Sequence, residues 1–219
     1  MISALAITYN EEEHIERFIK SLSFADEIII VDSKSTDKTV EIAKRFNAIV
    51  YLREFDNFSA QKNFALEKAS HDWIVFFDLD ELISQELADE IKTKTKTATD
   101  VSAFKVKRNF YFMGRHLKYS GFQNDAVVRV FKRSTCKYSN SLVHETLKVE
   151  GIAKVLKHTS DHYSYKTFDS YNDKLTRYSK LQAEMLYQQN IRPQFYHFLF
   201  RPIWRLFHQY IIKLGFLDG

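Results

Sequence analysis

The strongest chemical signal in this chain is Asp78-Leu79-Asp80-Glu81, set directly after the apolar run Trp73-Ile74-Val75-Phe76-Phe77. Two carboxylates at i and i+2 after a buried strand stand at its rim, where the pleat is ending. Both can then reach one cation, directly or through water. Mg²⁺ and Mn²⁺ take oxygen ligands, and often use one or two protein carboxylates completed by substrate phosphate oxygens. Such a metal neutralises charge developing on a departing diphosphate. The plain alternative makes Asp78 a cap for a helix starting near Ser84 and leaves the other acids solvated. A second cluster, Asp32-Ser33-Lys34-Ser35-Thr36-Asp37, also ends an apolar run. Asp32 can accept hydrogen bonds from a base or ribose, and the same residues also suit an ordinary loop and helix cap.

The elements that must position these groups follow from apolar periodicity. Residues 2–7, 27–32, 48–52 and 73–77 are short, continuous apolar runs that read as buried strands. Between them, Ile15, Phe18, Ile19 and Leu22 repeat at helical spacing, as do Val40, Ala43 and Phe46, and residues 58–69 make a third helix. Asn10 is expected to cap the first helix, with Glu13 completing a capping box, and Ser35 or Thr36 to cap the second. Alternating strands and helices, with strands covered on both faces, predict an α/β fold with a parallel sheet. Ligands in such sheets sit beyond the carboxyl ends of the strands. Thr8-Tyr9-Asn10, Asp32-Ser33 and Asp78-Leu79-Asp80-Glu81 are therefore expected to face one cleft. After the low-complexity stretch 92–100 the rhythm changes. Residues 102–107, 126–132 and 146–149 are short strand candidates, and helical character returns from about residue 167.

Composition sets the outer bounds. With 45% apolar and 27% charged residues and only five Gly and two Pro, the chain of 219 residues is an ordinary globular one. One cysteine excludes an internal disulfide framework and fits a reducing compartment. The start lacks a signal peptide's pattern, and no run reaches 18 uncharged apolar residues. Charge is divided: residues 1–109 hold 15 Lys and Arg against 20 Asp and Glu, and residues 110–219 hold 17 against 8. An acidic first half suits a metal, and a basic second half suits an anion or a solvated basic face.

TYNEE at 8–12, EIIIVDSKSTDKTVEIA at 27–43, the run Gln61-Lys62-Asn63-Phe64-Ala65-Leu66 and DLDE at 78–81 resemble the inverting family-2 glycosyltransferases of the GT-A fold. RNFYFMGR (108–115), VVRVFKR (127–133), VHE (143–145), HYSY (162–165) and the stretch 201–219 resemble one subgroup, the bacterial lipopolysaccharide inner-core β-glucosyltransferases. The resemblance implies a Rossmann-like, mainly parallel sheet flanked by helices, with a nucleotide-sugar-binding half at 1–109. It further implies an acceptor-side half at 110–165 and a helical C-terminal region at 166–219. Thr8, Tyr9, Asn10 and Glu12 would line base and ribose, Asp32 would bind them with Ser33 and Ser35 nearby, and Lys62 and Asn63 would lie near the donor. Asp80 would be the principal metal ligand, Asp78 would contact ribose or metal, and Glu81 would support them. The family more often has Gly where Lys34 stands and a small residue at Leu79, whose side chain should point away from the metal.

An inverting transfer needs a carboxylate to take the acceptor proton opposite the leaving diphosphate. Asp125, after the loop Gly121-Phe122-Gln123-Asn124, and Glu145, after Val143-His144, are the two candidates, and either can instead pair with Arg129, Arg133 or Lys148. Many GT-A enzymes add a histidine to the metal, a role open to His144 or His162. Arg129, Arg133 and Lys118 are possible phosphate contacts. The expected cofactors are a divalent Mg or Mn ion and UDP-glucose. The expected partners are a lipid-linked saccharide, the heptose of the lipopolysaccharide inner core, and not nucleic acid. Capsule and peptide acceptors fit several of the same motifs. His197, Arg201, Arg205, His208 and Lys213 recur about every four residues among aromatic and apolar ones. That pattern suits an anionic membrane interface, on the inner face of the cytoplasmic membrane, or a helix packed on the catalytic domain. A nucleotidyltransferase would show a Gly-rich basic loop after the first strand, where TYNEEE is acidic. A basic adaptor would not need three polar strand ends.

Overall fold

The computed structural model describes residues 1–122, 125–139 and 146–218. The chain divides into two compact units: Met1–Arg108 with Ala126–Asp161, and Asn109–Asp125 with His162–Gly219. The stretch 110–165 is thus shared between both.

In the first unit, strand β1 (Ile2–Thr8) is followed by helix α1 (Ile15–Ser21), β2 (Glu27–Asp32), α2 (Thr39–Arg45), β3 (Ile49–Leu52), α3 (Phe58–Lys68) and β4 (Trp73–Phe76). β1 pairs in parallel with both β2 and β4, and β2 with β3. The short strand β5 (Glu81–Ile83) and α4 (Gln85–Thr97) come next. Then come β6 (Val101–Phe112), β7 (Arg115–Leu117), β8 (Ala126–Lys132), β9 (Cys136–Tyr138), β10 (Leu147–Val149) and β11 (Ile152–Tyr165). Among the described residues nine strands form one sheet, in the order β3-β2-β1-β4-β8-β6-β11-β5, with β7 paired to β6. β8 is antiparallel to both β4 and β6, so the change of rhythm after residue 100 marks the passage from parallel to antiparallel pairing.

Period-2 alternation explains how the apolar runs are buried. Ala4, Ala6, Ile30 and Val75 join Ile15, Phe18, Leu22, Leu87 and Ile91 in one core cluster. Their strand neighbours Leu5, Ile29, Val31, Ile74 and Phe76 join Ala65, Leu66, Phe131 and Tyr138 in another. One cluster takes its helical residues from α1, α2 and α4 and the other from α3, so both faces of the inner strands are covered. Cys136 is buried and free.

Helix starts differ from the expected caps at two places. α1 begins after His14, which makes no side-chain cap bond. Asn10 sits instead at φ +54° and accepts the Thr36 N–H at 2.8 Å. α2 begins after Lys38, also without a side-chain cap bond, because the Ser35 hydroxyl is bonded to Asp32 at 2.5 Å. These residues stitch one loop to the next, which competes with capping for the same short polar side chains. At α4 the cap is Ser84, which accepts the Leu87 N–H, so the plain alternative of Asp78 as that cap does not hold.

In the second unit, α5 (Phe168–Gln188) starts on a Thr167–Ser170 capping box, and α6 (Phe195–Phe207) continues into a π-helical stretch, His208–Ile212. Rings cluster around the start of this unit: Phe110 stacks on Phe122 at 4.1 Å and Tyr111 on Tyr163 at 4.6 Å. Among the described residues no helix is long and apolar enough to cross a membrane.

Candidate active site

Strand order reverses between β1 and β4: the chain winds outward through β2 and β3, then crosses back to the other side of β1. A crevice opens beyond the carboxyl ends of strands at such a switch point. β1 ends there on Thr8 and β4 runs through Phe77 into Asp78, so two of the three polar strand ends flank the crevice and the third, on β2, adjoins.

The wall formed by β1 and β2 is one hydrogen-bonded unit. Asp32 is fully buried. It accepts the Thr8 hydroxyl at 2.8 Å and both the N–H and the hydroxyl of Ser35, at 2.7 and 2.5 Å. Ser35 Oγ accepts the Asn10 N–H at 2.8 Å. Glu12 accepts the Lys38 N–H at 3.0 Å, and the Glu12 N–H donates to Asp37 at 3.0 Å. Burial would raise the Asp37 carboxyl, but the Thr39 hydroxyl and the Thr39 and Glu12 amides outweigh it and hold the group below its ordinary range. Tyr9 stays exposed at the rim. Ser33 accepts from Gln61 Nε2 at 3.0 Å; Gln61 is fully buried and also bonded to Arg53. Nothing in the spacing of Ser33 and Gln61, 28 residues apart, marks this tie between the β2 loop and α3.

Lys34 stands at φ +62°, a left-handed conformation that suits glycine, and its Nζ meets Glu54 at 2.9 Å. The resemblance to a glycine-bearing family therefore has a backbone reason. Lys34→Gly removes a left-handed penalty of about 1 kcal/mol but adds chain entropy, so thermal unfolding should show stability within about 1 kcal/mol of the wild type. Lys34→Val, β-branched in that conformation, should lose more than 1 kcal/mol.

The wall formed by β4 is a charge network. Arg129, on β8 and 5% exposed, donates through Nη2 to Asp78 at 2.6 Å and to Glu81 at 2.5 Å. Glu81 is fully buried and also takes Arg108 at 2.8 Å. Lys62, nearly buried on α3 over the Phe76 and Tyr138 rings, lies 3.9 Å from Asp78. Burial alone would raise the Asp78 carboxyl, but Arg129 first and Lys62 second outweigh it and hold it well below the usual carboxylate range. Asp78 and Glu81 likewise hold the Arg129 guanidinium above its ordinary value, against its burial. Glu81 Oε2 and Arg129 Nε are buried without hydrogen-bond partners.

The other expected residues have their own partners. Asn63 accepts the Tyr138 N–H at 3.2 Å and donates to its carbonyl at 3.1 Å, so its amide clamps β9 to α3. Leu79 is buried in the core, pointing away from the rim as expected, so any donor contact there falls to its main chain. Asp80 is half-buried at the strand end. Arg133 donates to the Ala69 carbonyl at 2.6 Å, at the end of α3. Asp125 and His162 belong to the second unit. There the Asp125 N–H donates to the Phe122 carbonyl at 3.1 Å, and His162 Nε2 bonds Ser164 Oγ at 2.7 Å with its ring edge on Phe110. Glu145 and His144 lie outside the described residues. The part of Arg108 and the choice of Asp78 and Glu81 as the partners of Arg129 do not show in the sequence, although a lone arginine inside the apolar strand VVRVF signals a buried partner. A cavity of about 570 Å³ elsewhere in the first unit is lined by Asn63, Leu66, Arg133, Cys136 and Lys148, among others, and none of the strand-end acids lines it.

Among the described residues no three His, Cys, Asp or Glu side chains converge to hold a metal by themselves. With Asp78 and Glu81 ion-paired to arginine, the donor set fits a hard divalent cation only where substrate oxygens complete the shell, the usual arrangement for Mg²⁺.

Comparison with known proteins gives this geometry a family. The family described as Glycosyl transferase family 2 matches residues 3–149. An uncharacterized glycosyltransferase of Rickettsia bellii is 30% identical over the whole of this chain and 78% of its own length. The lipopolysaccharide core biosynthesis glycosyltransferase LpsC of Rhizobium meliloti is 28% identical over the whole chain and 82% of its own. Among solved structures, glucosyl-3-phosphoglycerate synthase from Mycobacterium tuberculosis, in complex with Mn²⁺, UDP and glucosyl-3-phosphoglycerate, superposes with a TM-score of 0.59. It is 20% identical, over 89% of this chain and 81% of that one, a likeness of fold. The α/β sheet with its switch-point crevice is the GT-A fold, and the chain belongs to glycosyltransferase family 2 and is a transferase.

Proposed function

We propose that this protein transfers a hexose from a nucleotide-diphosphate donor, UDP-glucose, with inversion, to a saccharide on a lipid-linked acceptor. The acceptor we assign is the heptose of the lipopolysaccharide inner core, at an anionic membrane surface. The observation that carries this reading is the switch-point crevice. One of its walls is the Thr8–Asp32–Ser35 unit and the other is Asp78, Asp80 and Glu81 backed by three cations. The likeness to LpsC, a lipopolysaccharide core enzyme by name, supports the acceptor. The synthase of the same fold captured with Mn²⁺ and UDP supports the donor and metal.

In this reading Tyr9, Asn10, Glu12 and Asp32, with Ser33 and Ser35, hold base and ribose. Lys62 stabilises negative charge beside Asp78. Asp80, with Asp78, would hold the divalent ion, and His162 is proposed as a further ligand. When bound, that ion supplies neutralisation of the leaving diphosphate. The acceptor hydroxyl oxygen bonds to the anomeric carbon as the carbon–diphosphate bond breaks, and its proton passes to a carboxylate, Asp125 or Glu145.

The test is a panel of UDP- and GDP-sugars with Mn²⁺, following donor hydrolysis and transfer in the wild type, Asp125→Asn and Glu145→Gln. The variant lacking the base should keep donor affinity and lose transfer by about 10²–10⁴. Should both variants keep transfer, neither carboxylate is the base.

A further inference from the structure

Residues 185–217 contain Arg192, Arg201, Arg205 and Lys213 and not one Asp or Glu. Within them α6 is exposed at every position except half-buried His197. Its large apolar side chains lie open: Phe195 is 79% exposed, Phe198 70%, Leu206 68% and Trp204 59%. At 3.6 residues per turn, Phe195, Leu199, Ile203, Leu206 and Phe207 fall on one broad side of the helix. His197, Arg201 and Arg205 fall on the other. A helix of 13 residues is marginal in water by itself. This one carries Pro202 in its interior, which removes an N–H donor. Its stability calls for a surface that takes aromatic side chains on one side and offers negative charge to the arginines at the edge. A protein groove would cover the rings but leave the acid-free basic stripe without its counter-charge. An anionic bilayer interface supplies both, with rings at headgroup depth and arginines reaching lipid phosphates.

The far end of this segment is fastened within its own unit to one loop. The Asp218 carboxylate accepts the Lys118 N–H at 3.0 Å and the Tyr119 N–H at 2.9 Å, and the Ser120 N–H donates to the Lys213 carbonyl at 2.9 Å. Gly215 is buried there, and a Cβ on it would stand 2.3 Å from Ser120 Oγ and 2.7 Å from the Gln209 carbonyl. The fastened loop leads through Phe122 to Asp125.

We infer that residues 195–217 are an in-plane anchor for an anionic phospholipid surface, and that the Asp218 clamp ties the Asp125 loop to that anchor. The inference deepens the reading of a membrane-borne acceptor given above and rests on it for the role of Asp125. The experiment is sedimentation of the full chain with phosphatidylcholine vesicles, with and without phosphatidylglycerol, at low and high salt. Quenching of Trp204 by brominated lipid runs alongside; Trp73, the other tryptophan, is buried. The wild type should bind only the phosphatidylglycerol vesicles, more weakly at high salt, with Trp204 quenched. The Arg201→Ala/Arg205→Ala variant should bind them roughly thirtyfold more weakly while hydrolysing UDP-sugar as the wild type does. Asp218→Ala should keep vesicle binding and lose transfer to an acceptor in vesicles more than to a detergent-dispersed one. Vesicle binding without sugar-nucleotide hydrolysis would leave the anchor standing and remove the active-site reading. Failure to bind phosphatidylglycerol vesicles at low salt, equal binding by the double arginine variant, or self-association through the helix in place of lipid binding would overturn the anchor.

Discussion

Arg129→Ala is expected to destabilise the protein by about 3–5 kcal/mol, because it removes one partner from a buried ion pair and leaves the other charges in place. Glu81 is fully buried, and without Arg129 its one remaining ion pair among the described residues is with Arg108, at 2.8 Å. Asp78 would keep Lys62, at 3.9 Å, and the more distant charge of Arg108. Urea unfolding at neutral pH should show a lower midpoint with an unchanged slope. Glu81→Gln combined with Arg129→Met removes both charges and should recover much of the loss, since the penalty comes from the uncompensated charge rather than from the missing pair. The pH dependence follows from Asp78. Its folded-state carboxyl lies below the ordinary range, with burial opposing and Arg129 and Lys62 together outweighing it. A lowered folded value contributes stability that is present above the unfolded value, about 3.9, and is lost as the pH falls toward the folded one. The gap between wild type and Arg129→Ala should therefore be widest at neutral pH and narrow below about pH 4. A loss under about 1 kcal/mol at neutral pH would contradict the network.

Asp80→Asn is expected to lower transfer by at least about 10²–10³, the usual cost of removing one group aimed at the charge of a transition state. Asparagine keeps the shape and one oxygen but no charge, so weakened metal binding should be the main defect. The variant should bind a nucleoside diphosphate as the wild type does in EDTA and fail to gain affinity when Mn²⁺ is added. Thermal unfolding of the two proteins without metal serves as the control for folding. A variant that keeps both transfer and the Mn²⁺ response would move the metal away from the DLDE rim.

The parallel half of the sheet was legible because its inner runs, such as Ala4-Leu5-Ala6 and Ile74-Val75-Phe76, are buried on both faces, whereas β3 at the sheet edge leaves Ile49 and Leu52 exposed. A continuous apolar stretch of that length has few other fates. The polar residue that ends each run marked the cleft for the same reason. Capping was less legible. Asn10 and Ser35 have the side chains of caps, but their partners at Thr36 and Asp32 depend on which loops the sheet order brings together. Arg129 was harder still. Its partners lie 51 and 48 residues away in sequence, and only the antiparallel return of β8 beside β4 brings them into reach. The motif at 78–81 was therefore readable as acid, while the cations that set its charge were not.

Calorimetric titration of UDP into the wild type, with and without Mn²⁺, tests the central claim most directly. A nucleotide-sugar crevice with a substrate-completed metal site should bind UDP in Mn²⁺ at least tenfold more tightly than in EDTA, a difference of about 1.4 kcal/mol or more. Asp80→Asn should abolish that difference. No binding of UDP or of any UDP- or GDP-sugar in the presence of Mn²⁺ would contradict it.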